Sequence, residues 1–374
     1  MRLAFVLYKY FPYGGLQRDM RRIAAVCRER GHEVVVYTLG WEGERPEGVE
    51  VQVVPVRRAS SHARNHEFTR RLRAALAASP VDLVIGFNKM PGLDIYYAAD
   101  GCTREKMLAE RGWMARFVPR YRHFLDYEAA VFGVTSTTEI LMISALQQQV
   151  YVKHYATPAA RMHMLPPGIA RDRMAGDDAA QLRASLRAEM DLADDERLVL
   201  CIGSGFRTKG LDRSLRALAS LPASLAERTR LLAIGDDKPD AFLALARELG
   251  VADRFTIQPG RDDIPHLLQG GDLLLHPAYY ENTGTVLLEA IVAGLPVLTT
   301  AACGYAFHVD AADAGIVIAN PFEQDALDRS LADMLDSPRR VSWRQNGISY
   351  GHTQDLYRMP ELAADLIETL GHRR

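Results

Sequence analysis

No stretch of this 374-residue chain comes near the ~20 consecutive apolar residues that a membrane-spanning helix requires. Cysteine is scarce. Cys27, Cys102, Cys201 and Cys303 lie far apart, with neither the close spacing of a zinc site nor a disulfide framework, so inert thiols are expected. Neither G-x-G-x-x-G nor G-x-x-x-x-G-K-[ST] occurs, which weighs against a dinucleotide-dependent dehydrogenase and a P-loop ATPase. Asp-x-Asp, a common way of chelating the divalent metal on a diphosphate, is also missing. Residues 1–7 are too short for a signal-peptide core and are followed by no small-residue cleavage pattern. They read as a first strand, and the expected location is the cytoplasm.

What is present describes two globular domains. Hydrophobic residues make up 48% and charged residues 25%, enough for two cores at this length. The net charge of −2 hides an asymmetry: residues 1–168 carry 23 Lys and Arg against 16 Asp and Glu, and residues 169–374 carry 22 against 31. The excess of positive charge in the first half points to an anionic partner there, although a drift in surface charge would produce the same count. Apolar runs at 3–7, 34–37 and 81–85 alternate with helical patterns such as 16–30, as buried parallel strands covered by helices do. Leu165-Pro166-Pro167-Gly168 reads as a linker. Strands then resume near 198–202, 231–234, 255–257, 273–275 and 297–299, and a last helix is expected over about 354–370.

Three stretches could hold an anion. Tyr280-Glu281-Asn282-Thr283-Gly284-Thr285-Val286 opens a helix whose free amides suit a phosphate. Glu281 before it and Glu289 within it suit hydroxyls on either side of that phosphate; read blandly, one is a surface charge and the other a helix-dipole partner. The loop from Gly203 to Gly210 offers close backbone approach, with Arg207 and Lys209 as cations. Gly14-Gly15 stands before the helix that contains Asp19 and is either an anion site or a plain turn. Asp100 reads as a site residue or a cap, and Arg173 as a phosphate ligand or a surface charge. Between Arg104 and Phe124, six Lys or Arg residues and two Glu accompany Trp113, Phe117 and Tyr121. That segment is either an inward-packing element or an interfacial patch for anionic lipid. Arg57, Arg58, Arg64, Arg70, Arg71 and Arg73 suit a phosphorylated ligand.

Glu-x7-Glu, the Gly-Gly first loop, the Arg/Lys loop and the Pro-Pro-Gly linker together resemble the retaining glycosyltransferases of family four. Within them, Leu7-Tyr8-Lys9-Tyr10-Phe11-Pro12, Gly14-Gly15-Leu16-Gln17-Arg18-Asp19 and the run from Gly86 to Asp94 are similar to the lipopolysaccharide core enzymes that add the first outer-core hexose to an inner-core heptose. The resemblance implies an α/β GT-B fold of two Rossmann-like domains facing across a cleft. Residues 1–168 would bind the acceptor, 169–350 the nucleotide sugar, and 351–374 would cross back. It implies a UDP-sugar donor with no metal or other cofactor, a phosphorylated lipopolysaccharide inner core as acceptor, the cytoplasmic face of the inner membrane as location, and no nucleic acid. Asp19, Asp100, Glu281, Arg207 and Lys209 would serve catalysis. Gly14, Gly15, Arg173, Gly203, Arg261, Asn282, Thr283, Gly284, Thr285, Val286 and Glu289 would join Arg207, Lys209 and Glu281 on the donor. Asn282, Thr283 and Thr285 depart from the aliphatic residues usual in the glucosyltransferases, and with them the pocket is expected to admit UDP-N-acetylgalactosamine alongside or ahead of UDP-glucose. A UDP-sugar epimerase, a sugar phosphorylase and a non-catalytic nucleotide-sugar module remain as alternatives.

Overall fold

The computed structural model describes residues 1–12 and 14–373, so Tyr13 of the first loop lies outside the described residues. The chain divides into two compact units, Met1–Gly168 with Arg358–Arg374, and Ile169–Tyr357. The first contains strands β1 (Arg2–Leu7), β2 (Glu33–Thr38), β3 (Glu50–Val53), β4 (Leu83–Gly86), β5 (Ile95–Ala98), β6 (Glu139–Met142) and β7 (Met162–Met164). They form one parallel sheet in the order β3-β2-β1-β4-β5-β6-β7. Residues 3–7 of β1 are wholly buried because both faces are covered. Leu3, Phe5 and Leu7 meet Met20 and Ile23 of the helix Gly15–Glu29 and Ile367 of the helix Met359–Gly371, whereas Ala4 and Val6 face Phe68 and Phe132 on the other side.

The C-terminal helix therefore belongs to the first unit. Arg30 holds Asp365 at 2.7 Å and His32 holds Glu368 at 2.7 Å. It starts later than the sequence pattern indicates, at Met359 with Pro360 in its first turn. The separate helix Arg340–Thr353 before it stays with the second unit. There Gly347 lies so close to the carbonyl of Ile291 that a Cβ would stand 2.4 Å from that oxygen. The boundary consequently falls at 357/358 instead of 350/351.

Between β5 and β6 the first unit makes an excursion: helix Thr103–Arg111, a 3₁₀ turn Trp113–Phe117, and helix Pro119–Phe132. Pro119 starts the last of these helices and does not interrupt it. Glu128, fully buried, accepts from the amides of Thr103 (2.7 Å) and Arg104 (3.0 Å), from Tyr155 Oη (2.8 Å) and from Lys89 Nζ (2.5 Å). It thereby caps the first helix of the excursion. Burial alone would raise its carboxyl, but Lys89 and these donors outweigh burial and lower it.

The second unit contains β8 (Arg197–Ile202), β9 (Thr229–Ile234), β10 (Phe255–Gln258), β11 (Leu273–His276), β12 (Val297–Thr300) and β13 (Gly315–Ile318), parallel in the order β10-β9-β8-β11-β12-β13. At the amino end of β11, buried Asp272 receives Arg183 (2.8 Å), Arg340 (2.6 Å), Arg187 (3.4 Å) and the Leu198 amide (2.9 Å). Burial raises its carboxyl, and the Arg183 charge, the Leu198 amide and Arg340 more than reverse this. The lowered value means that its stabilisation is complete above the unfolded carboxylate pKa and is lost as pH falls through the folded one. Asp272→Ala, which removes the carboxylate shared by three guanidinium groups, is expected to lower unfolding free energy by about 3–5 kcal/mol in urea titration at neutral pH. The deficit should shrink in acid, where the wild type loses the same charge.

Candidate active site

In an open parallel sheet, ligands bind beyond the carboxyl ends of the strands where the strand order reverses. In the second unit that point lies between β8 and β11, and the loops leaving it are residues 203–210 and 277–284. They approach closely. A Cβ on Gly210 would stand 2.1 Å from the Pro277 carbonyl, and on the loop after β9 a Cβ on Gly235 would stand 2.8 Å from the Gly203 carbonyl oxygen. Gly284, at φ 84°, turns the chain into the helix Thr285–Val292 without a side-chain cap, which leaves the amides of Thr285 and Val286 to a ligand.

Lys209 forms an ion pair with Glu281, and His276 Nε2 lies 3.6 Å from the same carboxylate oxygen. With Gly203, Phe206, Leu211 and Leu275, Lys209 and His276 line a small pocket at the strand ends. Burial lowers the Lys209 ammonium to about 8, with the Cys303 thiol acting weakly in the opposite direction. Burial, with Lys209 adding to it, pushes His276 down to about 3, so the imidazole is neutral. Arg207 is exposed, and no hydrogen bond or ion pair of its side chain is found among the described residues. Glu289 is buried on the helix Thr285–Val292, and Arg173 Nε lies 3.7 Å from it. Asn282, Thr283, Thr285 and Val286 are half-buried at the same helix start, where the Thr283 carbonyl accepts from the Tyr305 amide at 2.7 Å. Arg261 is engaged by Asp263 (2.6 Å) and Glu189 (2.9 Å), which raise its pKa.

The first unit reverses its strand order between β1 and β4. The Tyr8 amide donates to Asn88 Oδ1 at 2.8 Å, and Gln17 Nε2 donates to the Lys9 carbonyl at 2.9 Å. Gly14 caps the helix that Gly15 begins, and a Cβ on Gly14 would overlap the Gln17 side chain. Asp19 accepts from Tyr97 Oη at 2.8 Å. Asp100, just past β5, is exposed, and its carbonyl accepts from Tyr151 Oη at 2.9 Å. It does not cap the following helix, because Glu128 does. Of the six arginines read as a phosphate patch, Arg70 and Arg71 are spent on Glu67, each at 2.7 Å, and hold that carboxyl at about 2. Sequence reasoning missed His276 and Glu128; a histidine ending a strand and a glutamate inside a helix carry no local signal of a site.

Residues 13–173 match the model for Glycosyltransferase Family 4, and residues 183–350 match that for Glycosyl transferases group 1. The chain is 48% identical over 368 residues, 98% of both sequences, to the lipopolysaccharide glucosyltransferase WaaG of Escherichia coli (strain K12). It belongs to the family 4 glycosyltransferases. The crystal structure of WaaG, a glycosyltransferase involved in lipopolysaccharide biosynthesis, matches this family 4 chain at a TM-score of 0.94 over 98% of this chain and 99% of that one. Sucrose-phosphate synthase from Thermosynechococcus elongatus, at 18% identity and a TM-score of 0.79 over all of both chains, shares the fold alone. The expected GT-B architecture of two Rossmann-like units stands, and the enzyme is a glycosyltransferase.

A diphosphate bound at Lys209 requires the ammonium form. UDP affinity, measured by calorimetry between pH 7.5 and 9.5, above the titration of its own terminal phosphate, should fall above about pH 8 by up to about tenfold per pH unit. Lys209→Arg should flatten the curve, because a guanidinium does not titrate there. A level wild-type profile would remove Lys209 from the diphosphate.

Proposed function

We propose that this enzyme transfers a hexose from a UDP-sugar, with retention and without a metal ion, to a heptose of the phosphorylated lipopolysaccharide inner core. The observation that carries the reading is the 48% identity to a lipopolysaccharide glucosyltransferase, extending over 98% of both chains and thus through both units. UDP-glucose is the donor that this likeness favours.

The chemistry follows from what the strand-end loops offer. Departure of UDP builds negative charge on the diphosphate, and preorganised donors stabilise it most when they need not reorganise. The Thr285 and Val286 amides are such donors, and Lys209 and Arg207 add two cations, so the leaving group is neutralised by the chain's own groups. Glu281, released from Lys209 as the diphosphate takes its place, accepts from sugar hydroxyls, and Glu289 accepts from the ribose while Arg173 steadies it. Asp19 and Asp100 serve the acceptor side. Retention is achieved by front-face departure and attack. Thr285 beside Gly284 offers a hydroxyl with less bulk than an aliphatic residue, and with Asn282 and Thr283 it supports acceptance of UDP-N-acetylgalactosamine, since a buried polar substituent needs a partner.

UDP release should be followed over a panel of UDP-sugars, in excess EDTA, with lipopolysaccharide truncated at the inner-core heptose. Turnover that needs both donor and truncated acceptor and survives EDTA is expected, with Lys209→Ala reducing it by roughly 2–4 kcal/mol in barrier. Activity restored only by Mg²⁺ or Mn²⁺ counts against the mechanism, and dependence on inorganic phosphate would mark a phosphorylase. Thr285→Ile should shift the donor ratio toward UDP-glucose.

The acceptor's surroundings bear on the excursion between Arg104 and Phe124. Inward packing does not describe its tip. Trp113 is 58% and Phe117 67% exposed, and Met114 and Val118 are exposed beside them. Arg116 lies over both rings, at 5.0 and 4.8 Å from their centroids. No helix among the described residues is long and apolar enough to cross a membrane. Exposed aromatics with a cation over them suit an anionic bilayer surface, and peripheral attachment to the cytoplasmic face of the inner membrane is the proposed location. Sedimentation with vesicles should show binding that rises with anionic lipid and falls with salt, and Trp113→Ser/Phe117→Ser should abolish it. Equal binding to neutral vesicles would defeat this assignment.

A further inference from the structure

Arg213 is the third residue of the helix Leu211–Ala219, which begins where the Arg207/Lys209 loop ends. Its guanidinium carbon lies 3.6 Å from the ring centroid of Tyr279 and 3.6 Å from that of Phe322, so the group is held between two aromatic rings. From this slot Nη1 donates to the carbonyls of Pro277 (3.1 Å) and Ala278 (3.2 Å), the first two residues after β11. The flanking groups are themselves fixed. Tyr279 Oη donates to Asp212 at 2.7 Å, the Tyr279 amide donates to the Thr208 carbonyl at 2.9 Å, and Thr300 Oγ1 donates to the Ala278 carbonyl at 2.8 Å. Beside Phe322, Gln324 Nε2 donates to the Arg213 carbonyl at 3.1 Å.

These contacts converge on the backbone that leads into Glu281. Pro277 has no amide to donate, and Ala278 and Tyr279 lie outside any helix or strand. Their carbonyls need donors from elsewhere, and Arg213 supplies one to each of the first two. Arginine combines a planar cation that stacks between rings with an in-plane Nη1 that reaches both carbonyls; lysine offers a strongly hydrated point charge that does not stack in this way. Two residues beyond Tyr279 stands Glu281, which faces Lys209 from the neighbouring loop, and the Tyr279–Thr208 hydrogen bond joins the two loops directly.

We propose that Arg213 is a positioning residue for donor-sugar recognition. By clamping Pro277 and Ala278 it sets Glu281 relative to Lys209, so that the carboxylate meets the sugar while the ammonium meets the diphosphate. The inference rests on the UDP-sugar reading of this site. It concerns only the sugar-facing half, since Arg207, Lys209 and the helix amides hold the diphosphate without it.

The test compares Arg213→Gln, Arg213→Lys and Phe322→Leu with wild type. The readouts are the Kd of UDP, the Kd of the UDP-sugar that wild type turns over fastest, kcat, and melting temperature. In Arg213→Gln, UDP affinity is retained, UDP-sugar affinity falls relative to that of UDP, and kcat falls about 100-fold, the loss expected of a misplacement of about 1 Å. Arg213→Lys falls almost as far, because charge without the stacked fork does not restore the clamp. Phe322→Leu removes one ring and keeps the hydrogen bonds. It shows a smaller loss in the same direction and carries the test if the Arg213 variants do not fold. Variants that melt lower but keep the wild-type sugar preference and kcat overturn the proposal. Equal losses of UDP and UDP-sugar affinity overturn it too, by making Arg213 a diphosphate ligand. Wild type that binds neither UDP nor any UDP-sugar defeats the function proposed above and is recognised as such before any variant is made.

Discussion

Where a parallel sheet reverses its strand order, the connections from two neighbouring strands leave in opposite directions and open a gap at their carboxyl ends. The donor-side arrangement depends on this gap. Between β8 and β11 it brings together two loops separated by nearly seventy residues of chain, with Lys209 on one and Glu281 on the other. The parallel direction also aims the helix Thr285–Val292 so that its amino end opens toward the same place. Gly210 serves that proximity, since a side chain there would drive the two loops apart, and Gly235 after β9 lets a third loop pack against Gly203. The first unit repeats the topology between β1 and β4, and there the Tyr8 amide meets Asn88.

Three carboxylates illustrate how the same chemistry serves structure in one place and exchange in another. Asp272 is surrounded by three arginines and a backbone amide, and Glu128 by a lysine, two amides and a tyrosine. Each is saturated, and removing the carboxylate would take a shared acceptor from several buried donors at once. Glu281 has Lys209 as its close partner, and that ammonium is poised by burial near the physiological range. A pair so placed can be opened by a ligand with more charge to offer, which suits a site that must bind and release a diphosphate. Glu128 has a further consequence. Through Lys89 it joins the loop after β4 to the excursion that displays Trp113 and Phe117, so both are referenced to one buried anion.

Much of this was legible along the chain. The apolar runs of β1, β8 and β11 read directly as buried strands, and the Gly-rich loop and the Glu281/Glu289 helix start were visible as anion-binding candidates, because each is a local pattern with a local cause. The strands β3, β5, β6 and β7 were not, and β3 (Glu50–Val53) and β7 (Met162–Met164) mix polar with apolar residues and so do not stand out by pattern. The final helix was placed a few residues early because residues 354–358 look compatible with helix, and only the packing of Gly347 against Ile291 and the start at Met359 assign the preceding helix to the second unit. The aromatics near Trp113 had two readings of equal merit in sequence; the exposure of Trp113 and Phe117, which is a property of their neighbours, removes inward packing at the tip.

The sequence by itself determined the alternation of strands and helices, the division near Gly168, and which loops carry cations, carboxylates and glycine, for these follow from periodicity and residue chemistry within a few turns of chain. The tertiary structure decided which of those groups meet. It paired Lys209 with Glu281, set Arg173 beside Glu289, engaged Arg261 with Asp263 and Glu189, spent Arg70 and Arg71 on Glu67, and enclosed Arg213 between Tyr279 and Phe322. A side chain's charge state and availability depend on desolvation and on the partners within a few ångströms. Where those partners come from distant parts of the chain, only the order of strands in the sheet brings them into reach.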